Sequence, residues 1–178
     1  MIFPAPVTVL GDHIRALCIG IGDYSSAELS FQAPKRGARL IARMLARGGA
    51  STVDTFISSE DEPPITRHRV LDAVKNLERA CEHDSSSVAI IYYSGHGFSD
   101  SVSHNQFWIP GQVGRSHVGE EFKGEVLELA FKDIMLYDIT ESFERHSIRM
   151  LVISDSCGSL RNVPKVAKDP FHFGGGTH

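Results

Sequence analysis

Four short segments with the composition of β-strands alternate along the chain with segments of helical periodicity. The four strand-like segments occupy residues 15–21, 52–57, 88–93 and 150–154. Parallel strands of this kind are buried on both faces, and each is joined to the next by a right-handed crossover, usually a helix. The alternation therefore predicts an α/β fold with a mostly parallel central sheet and helices on both of its faces.

Three of the intervening segments carry helix signals. Pro34 suits the first turn of a helix, and apolar residues recur at helical spacing until Gly48. Thr66 can cap a second helix, and Asp133 can cap a third that begins at Ile134. The apolar face of the second helix consists of Val70, Leu71, Val74, Leu77 and Cys81. We therefore interpret Cys81 as a core residue.

Composition excludes several classes of function. The chain of 178 residues has a formal net charge of -4, which disfavours nucleic acid as a partner. No apolar run approaches the roughly 18 residues of a membrane-spanning helix, and the first residues lack the pattern of a signal peptide. The three cysteines, Cys18, Cys81 and Cys157, form neither an even framework nor a C-x-x-C pair. We expect a cytoplasmic protein without a metal, a cofactor or a membrane partner.

Two polar motifs follow the third and fourth predicted strands. The motif SGHG ends the third strand and contains His96, and DSCG ends the fourth and contains Cys157. Because parallel strands bring their carboxyl ends to one edge of a sheet, these two side chains are expected to meet there. A free thiol is only about 3% thiolate at pH 7, so a cysteine nucleophile needs a neighbouring imidazole or a positive electrostatic environment, and His96 could supply that help. His96 would also protonate the leaving amine, and the backbone N–H groups of Gly97 and Cys157 would bind the oxyanion.

These motifs resemble those of the caspase-like cysteine peptidases, the clan of caspases, metacaspases and paracaspases, and especially its bacterial and fungal members. The similar segments are YYSGHG, LVISDSC, RALCIGIGDY and FWIP, and the resemblance extends over roughly residues 15–160. It implies a caspase-hemoglobinase fold, which is a three-layer sandwich. It also implies that His96 and Cys157 form the catalytic dyad and that the amide of Gly97 contributes to the oxyanion hole.

The resemblance leaves the preference for the residue before the scissile bond open. Asp155 matches an acidic residue that metacaspases use to bind a basic side chain, which favours cleavage after Arg or Lys through a charge-assisted pair. Metacaspases also carry an acidic residue at the start of the first helix, but the matching segment APKRGARL has none. Its Lys35 and Arg36 resemble the basic residue with which caspases bind Asp. A purely structural role for Asp155, as a helix or loop cap, is the alternative.

The chain divides into an N-terminal arm, residues 1–14, a caspase-like large-subunit domain, residues 15–160, and a C-terminal tail, residues 161–178. Only 21 residues follow Cys157, and they show no strand or helix pattern. The family completes its sheet with two further strands and a helix, so we expect this chain to lack the small-subunit strands. An open sheet edge favours pairing with a small-subunit segment or with a second copy of the chain.

Three functions compete. The first is a cysteine endopeptidase that cleaves proteins or peptides after a basic residue. The second is a catalytically weak or inactive caspase-like module that acts in protein association, suggested by the short chain and by the sequence CGS after residue 156. The third is a flavodoxin-like ligand-binding domain. The segment Gly20-Ile21-Gly22 lacks the third glycine of a dinucleotide loop, and we interpret it as a turn that lets substrate pass.

Overall fold

The computed structural model of the chain describes residues 13–25, 27–84, 86–100, 106–112, 134–156 and 159–161. In chain order its elements are β1 (Ile14–Gly20), a 3-10 turn (Ala27–Leu29), α1 (Ala33–Arg47), β2 (Thr52–Ile57), α2 (Arg67–Glu82), β3 (Val88–Gly95), β4 (Gly97–Asp100), β5 (Gln106–Trp108), β6 (Ile134–Met135), α3 (Leu136–Arg145), β7 (Arg149–Ser156) and β8 (Ser159–Arg161).

The main sheet has four parallel strands in the order β2-β1-β3-β7. This confirms the predicted α/β fold with a parallel sheet. The strand β3 runs two residues beyond its predicted end at Tyr93, because Ser94 and Gly95 pair with Asp155 and Ser156 of β7. The sheet therefore extends up to His96.

Helices cover both faces of the main sheet, as predicted. Helices α2 and α3 pack on one face, where the largest cluster of buried side chains includes Val74, Tyr93 and Phe143. Helix α1 packs on the other face through a smaller cluster made of Cys18, Ala38, Ala42 and Tyr92. Side chains alternate between the faces along each strand, so Tyr92 and Tyr93 belong to different layers.

The helix starts follow the predicted signals in two of three cases. Pro34 lies in the first turn of α1, and the hydroxyl of Thr66 accepts a hydrogen bond from the Arg69 backbone N–H at 3.3 Å. The third prediction is wrong, because Ile134 belongs to the short strand β6 and α3 begins at Leu136. Pairing of Ile134 with Trp108 in β5 takes precedence over the helical periodicity of the segment. The predicted cap, Asp133, lies outside the described residues.

A second sheet has the strand order β6-β5-β4-β8. Its strands are two to four residues long. Strand β4 is antiparallel to β5 and parallel to β8, with Phe98 paired to Ser159. The chain thus passes from the main sheet to the second sheet twice, once through His96 and once through positions 157–158.

The glycines at the end of β1, Gly20 and Gly22, serve internal packing, which corrects their interpretation as a turn for substrate. A Cβ added at Gly20 would lie 2.8 Å from both the Ala38 Cβ and the Pro34 carbonyl oxygen, and one at Gly22 would lie 2.3 Å from the Phe31 carbonyl oxygen. Any larger residue would push α1 and the loop before it away from the sheet. The atoms that lie close to these two glycines therefore belong to α1 and to the loop before it.

Within the described ranges, every helix is too short or too polar to cross a lipid bilayer.

Candidate active site

The predicted catalytic residues follow paired positions of two neighbouring strands. Gly95 of β3 pairs with Ser156 of β7 in the main sheet, and Phe98 pairs with Ser159 in the second sheet. His96 is the single residue between β3, which ends at Gly95, and β4, which begins at Gly97. Residues 157–158 join β7 to β8 in the same way along the chain. Cys157 itself lies outside the described residues, so its contact with His96 stays a prediction. We refer to this boundary between the two sheets as the seam.

The backbone of His96 is anchored by two tyrosine hydroxyls. Its N–H donates to the Tyr24 hydroxyl at 2.8 Å, and its carbonyl oxygen accepts from the Tyr93 hydroxyl at 2.7 Å. The same carbonyl accepts the Ile109 N–H at 3.0 Å. Tyr93 also stacks on Trp108, with ring centroids 4.3 Å apart. The position of His96 is therefore fixed by the buried core on one side and the β1–α1 loop on the other.

The imidazole of His96 is oriented by the loop that precedes α1. Its ring packs against Tyr24 and Phe31, with centroid distances of 4.9 and 4.7 Å. Its Nε2 lies 2.9 Å from the carbonyl oxygen of Leu29. A carbonyl oxygen only accepts hydrogen bonds, so Nε2 must carry the proton, and the neutral ring then has its lone pair on Nδ1. This is the form in which a histidine can act as a base through Nδ1.

Gly97 lies where no side chain fits. A Cβ at this position would be 2.7 Å from the Ser156 Oγ and 2.9 Å from the Phe107 carbonyl oxygen. The Ser156 hydroxyl in turn lies 3.0 Å from that of Ser154, which accepts a hydrogen bond from the Trp108 indole at 2.9 Å. The backbone at Gly97 thus passes directly over the end of β7. Its predicted role as an oxyanion donor stays a prediction.

Asp155 presents an exposed carboxylate on the α1 face of the sheet. Its Oδ2 accepts hydrogen bonds from the Tyr92 hydroxyl at 3.0 Å and from Ser94 at 3.1 Å. Burial, and then the Asp155 carboxylate, raise the pKa of Tyr92, so the phenol stays protonated and donates. Gly37 of α1 faces the same spot, since an added Cβ would lie 4.0 Å from Oδ2. In the described chain Asp155 is held by two hydroxyl side chains of β3, and it forms no hydrogen bond with a helix N-terminus.

Lys35 is not free to bind a substrate carboxylate. The side chain is only 7% exposed, and its Nζ lies 2.8 and 3.0 Å from the two oxygens of Asp23 and 3.8 Å from Glu60. The backbone N–H of Asp23 in turn donates to the Ser58 hydroxyl at 3.0 Å. The ion pair with Asp23 therefore neutralises the charge of Lys35 within the chain. Arg36, the next residue, is exposed.

The cysteines within the described residues are unsuited to nucleophilic chemistry. Burial raises the pKa of Cys18 to about 11, and burial is also the largest cause of the raised pKa of Cys81. Both thiols are free and lie in the packed layers on either side of the sheet. The prediction that Cys81 is a core residue is confirmed.

A further cluster of titratable groups joins α2 to the end of α3. The buried Glu78 accepts a hydrogen bond from Ser142 at 2.7 Å, and the His146 Nδ1 lies 2.6 Å from the same oxygen. Glu82 is the third member, and the nitrogen of His146 and one carboxylate oxygen from each glutamate all lie within 4.8 Å of one another. These contacts connect two helices on the face opposite to α1, and the residue spacing in the sequence gives no signal for them.

Sequence reasoning identified His96 but not the residues that orient it. Tyr24, Phe31 and the carbonyl of Leu29 all belong to the loop between β1 and α1. A backbone carbonyl leaves no trace in the sequence, and the two aromatic residues read as ordinary loop hydrophobics. Only the tertiary fold brings them to the imidazole.

Comparison with known protein families identifies a family for this chain. The family model described as the caspase domain matches residues 13–170, which include every described element. A search of curated proteins finds no match.

Proposed function

Because the chain belongs to the caspase-domain family of cysteine peptidases, we propose that it hydrolyses peptide bonds with Cys157 as nucleophile and His96 as acid and base. The orientation of the His96 ring is the observation that carries this proposal. Its Nε2 is committed to the Leu29 carbonyl, which leaves Nδ1 to accept a proton. The two strand registers that flank the seam support the proximity of position 157.

The proposed reaction begins with transfer of the Cys157 thiol proton to Nδ1 of His96. The thiolate then attacks the carbonyl carbon of the scissile bond, and the negative oxygen accepts hydrogen bonds from the backbone N–H groups of Gly97 and Cys157. As the C–N bond breaks, Nδ1 returns its proton to the leaving amine. Water, deprotonated by the same nitrogen, hydrolyses the thioester and restores the thiol.

Cleavage after Arg or Lys is the preference that we propose. Asp155 supplies an exposed carboxylate, and the two hydroxyls that donate to it hold one oxygen in place without neutralising the charge. Of the two basic residues that resemble the Asp-binding residue of caspases, Lys35 is already paired with Asp23, and Arg36 is exposed. A guanidinium or ammonium group would therefore find a complementary charge, whereas an Asp side chain would meet a like charge.

We also propose a partner at the free edge of β7 and a cytoplasmic site of action. In the described sheet β7 is the last strand, so its outer backbone groups are available for a further strand from a small-subunit segment or a second copy. The absence of a cysteine framework in the sequence supports a reducing compartment.

Peptide reporters test the proposed function. Fluorogenic peptides that end in Arg, Lys or Asp are incubated with the wild-type chain and with Cys157→Ala, His96→Ala, Asp155→Asn and the control His68→Ala. We expect turnover of the Arg and Lys reporters to fall about 10³-fold or more in the first two variants. Asp155→Asn should reduce turnover of the Arg and Lys reporters more than turnover of the Asp reporter. The control should be unaffected because His68 is 84% exposed and lies on α2.

Turnover that survives both Cys157→Ala and His96→Ala would refute the peptidase assignment. Absence of turnover in the wild type, together with failure of an electrophilic peptide ketone to label Cys157, would favour the association module instead. An undiminished rate in Asp155→Asn would refute the role of Asp155, and faster turnover of the Asp reporter than of the Arg and Lys reporters by the wild type would refute the basic preference.

A further inference from the structure

Ser58 is a buried serine that takes no direct part in the proposed reaction. It follows the last residue of β2 and is only 4% exposed. Its own N–H continues the pairing of β2 with β1 by donating to the Gly20 carbonyl oxygen at 3.0 Å. Burying a hydroxyl group costs free energy unless the group forms hydrogen bonds, so the partners of this hydroxyl indicate what it does.

The Ser58 hydroxyl binds the backbone where the chain leaves β1. Its oxygen accepts the N–H of Gly22 at 2.9 Å and the N–H of Asp23 at 3.0 Å. A hydroxyl oxygen has two lone pairs, and these two donors use both of them. Ser58 therefore ties the end of β2 to the start of the β1–α1 loop.

Two paths of contacts run from these two residues to His96. The Gly22 carbonyl oxygen accepts the Phe31 N–H at 2.8 Å, and the Phe31 ring packs against the imidazole. Asp23 precedes Tyr24, whose hydroxyl accepts the His96 N–H. On both paths a single residue separates the backbone that the serine holds from the histidine.

A second serine closes the loop on itself. The Ser30 hydroxyl accepts the Tyr24 N–H at 3.0 Å and donates to the Tyr24 carbonyl oxygen at 3.4 Å. Ser30 lies between Leu29, whose carbonyl oxygen accepts the Nε2 proton of His96, and Phe31. The first and last residues of the loop are therefore held together, and the carbonyl and both aromatic rings that contact the imidazole belong to this closed loop.

We propose that Ser58 is a positioning residue for His96. It acts through the β1–α1 loop: by holding the start of that loop it sets the positions of the Leu29 carbonyl and the Phe31 ring, and these keep the imidazole proton on Nε2. Alanine at position 58 removes the acceptor of two backbone N–H groups without adding an atom, so the loop loses its fixed start. The kinetic consequence rests on the proposed function, whereas the effect on the imidazole proton does not.

NMR of the full ¹⁵N-labelled chain measures the imidazole proton directly. The Nε2–H signal of His96, identified by its loss in His96→Ala, should exchange slowly with water in the wild type because the Leu29 carbonyl holds it. In Ser58→Ala we expect exchange to be about tenfold faster. The ion pair between Lys35 and Asp23 remains in this variant and retains the other anchor of the loop. If Ser58→Ala does not fold, Ser58→Cys, which offers a weak acceptor of similar size, is measured through the same signal.

Kinetics test the consequence for the reaction. In Ser58→Ala, kcat for the Arg reporter should fall about tenfold while KM stays within about twofold, because the serine orients the histidine and does not contact Asp155. The apparent pKa of Cys157 alkylation should rise towards that of a free thiol. The control is Thr66→Ala, which removes the hydroxyl that caps α2. It should lower the melting temperature by a few degrees and leave the proton exchange, kcat and the alkylation profile unchanged.

Three outcomes would overturn the proposal. They are the lack of a slowly exchanging Nε2 proton in the wild type, an unchanged exchange rate in folded Ser58→Ala, and equal changes in Ser58→Ala and Thr66→Ala. Faster exchange in Ser58→Ala, together with a wild type that cleaves no peptide, would support the positioning of His96 and refute the proposed function instead.

Discussion

The buried ion pair between Lys35 and Asp23 should contribute strongly to stability, and its removal is a stringent test of the fold. Lys35→Met leaves the Asp23 carboxylate, which is 14% exposed, without its cation. Asp23→Asn leaves the Lys35 ammonium with Glu60 as its remaining ion-pair partner, which is 3.8 Å away and 75% exposed. In both cases a charge that has lost its close partner stays in a largely buried site.

The expected cost follows from this burial. Breaking one side of a buried pair typically costs about 3–5 kcal/mol, a large share of the roughly 5–15 kcal/mol that stabilises a domain. For a chain of this size, a cost of 3–4 kcal/mol lowers the melting temperature by about 10 °C. The double variant removes both charges, so it should be more stable than the sum of the single effects by about 2 kcal/mol.

Urea unfolding measures these values through the fluorescence of Trp108, the single tryptophan, which is fully buried. The matched control is Glu60→Gln, which removes the exposed and more distant partner of Lys35 and should cost less than about 1 kcal/mol. Equal losses in Glu60→Gln and Lys35→Met would refute the reasoning. Strict additivity of the Asp23→Asn and Lys35→Met effects would also refute it.

Three further predictions concern single positions. Gly97→Ala should lower the urea midpoint by the equivalent of about 1–3 kcal/mol, because its methyl would lie 2.7 Å from a β7 hydroxyl oxygen; Gly37→Ala, whose nearest contact is 3.0 Å, should cost far less, since alanine favours the helix. The pKa of Asp84 is lowered from its ordinary 3.8 by hydrogen bonds from Ser86 and then by His13. The ionised Asp84 therefore contributes to the stability of the fold above its ordinary pKa, and this contribution is lost as the pH falls towards its lower pKa in the folded chain. The difference in urea midpoint between wild type and Asp84→Asn should shrink below about pH 4. A difference that grows in acid would contradict this. Because burial raises the pKa of Cys18 to about 11, iodoacetamide at pH 8 should modify it only after unfolding, and rapid modification of the native chain, seen by peptide mass spectrometry, would contradict its placement.

The main sheet could be predicted because its strands carry strong local signals. The run 52–57 matches β2 at both ends, and the predicted first strand differs from β1 by one residue at each end. The central strands β1 and β3 carry the nearly continuous apolar composition of strands buried on both faces, whereas the edge strand β2 was indicated by its β-branched and aromatic residues. The cap at Thr66 is local in the same sense, because its partner lies three residues away.

The second sheet and the details around His96 depend on long-range contacts. Strands of two to four residues have no period to detect, and Ile134 becomes a strand only because Trp108 pairs with it. The pairing of Lys35 with Asp23 likewise depends on how the β1–α1 loop folds back. The sequence motif indicated the histidine, whereas the tautomer of its ring depends on a loop carbonyl that no motif encodes.

The rate of alkylation of Cys157 as a function of pH, in the wild type and in His96→Ala, tests the proposed dyad most directly. Peptide mass spectrometry separates this thiol from Cys18 and Cys81, which are buried. If Nδ1 of His96 accepts the thiol proton, the wild type should react with an apparent pKa well below about 8.5, and the variant should return towards that value. Identical profiles for the two proteins, with a pKa near or above that of a free thiol, would contradict the proposed dyad.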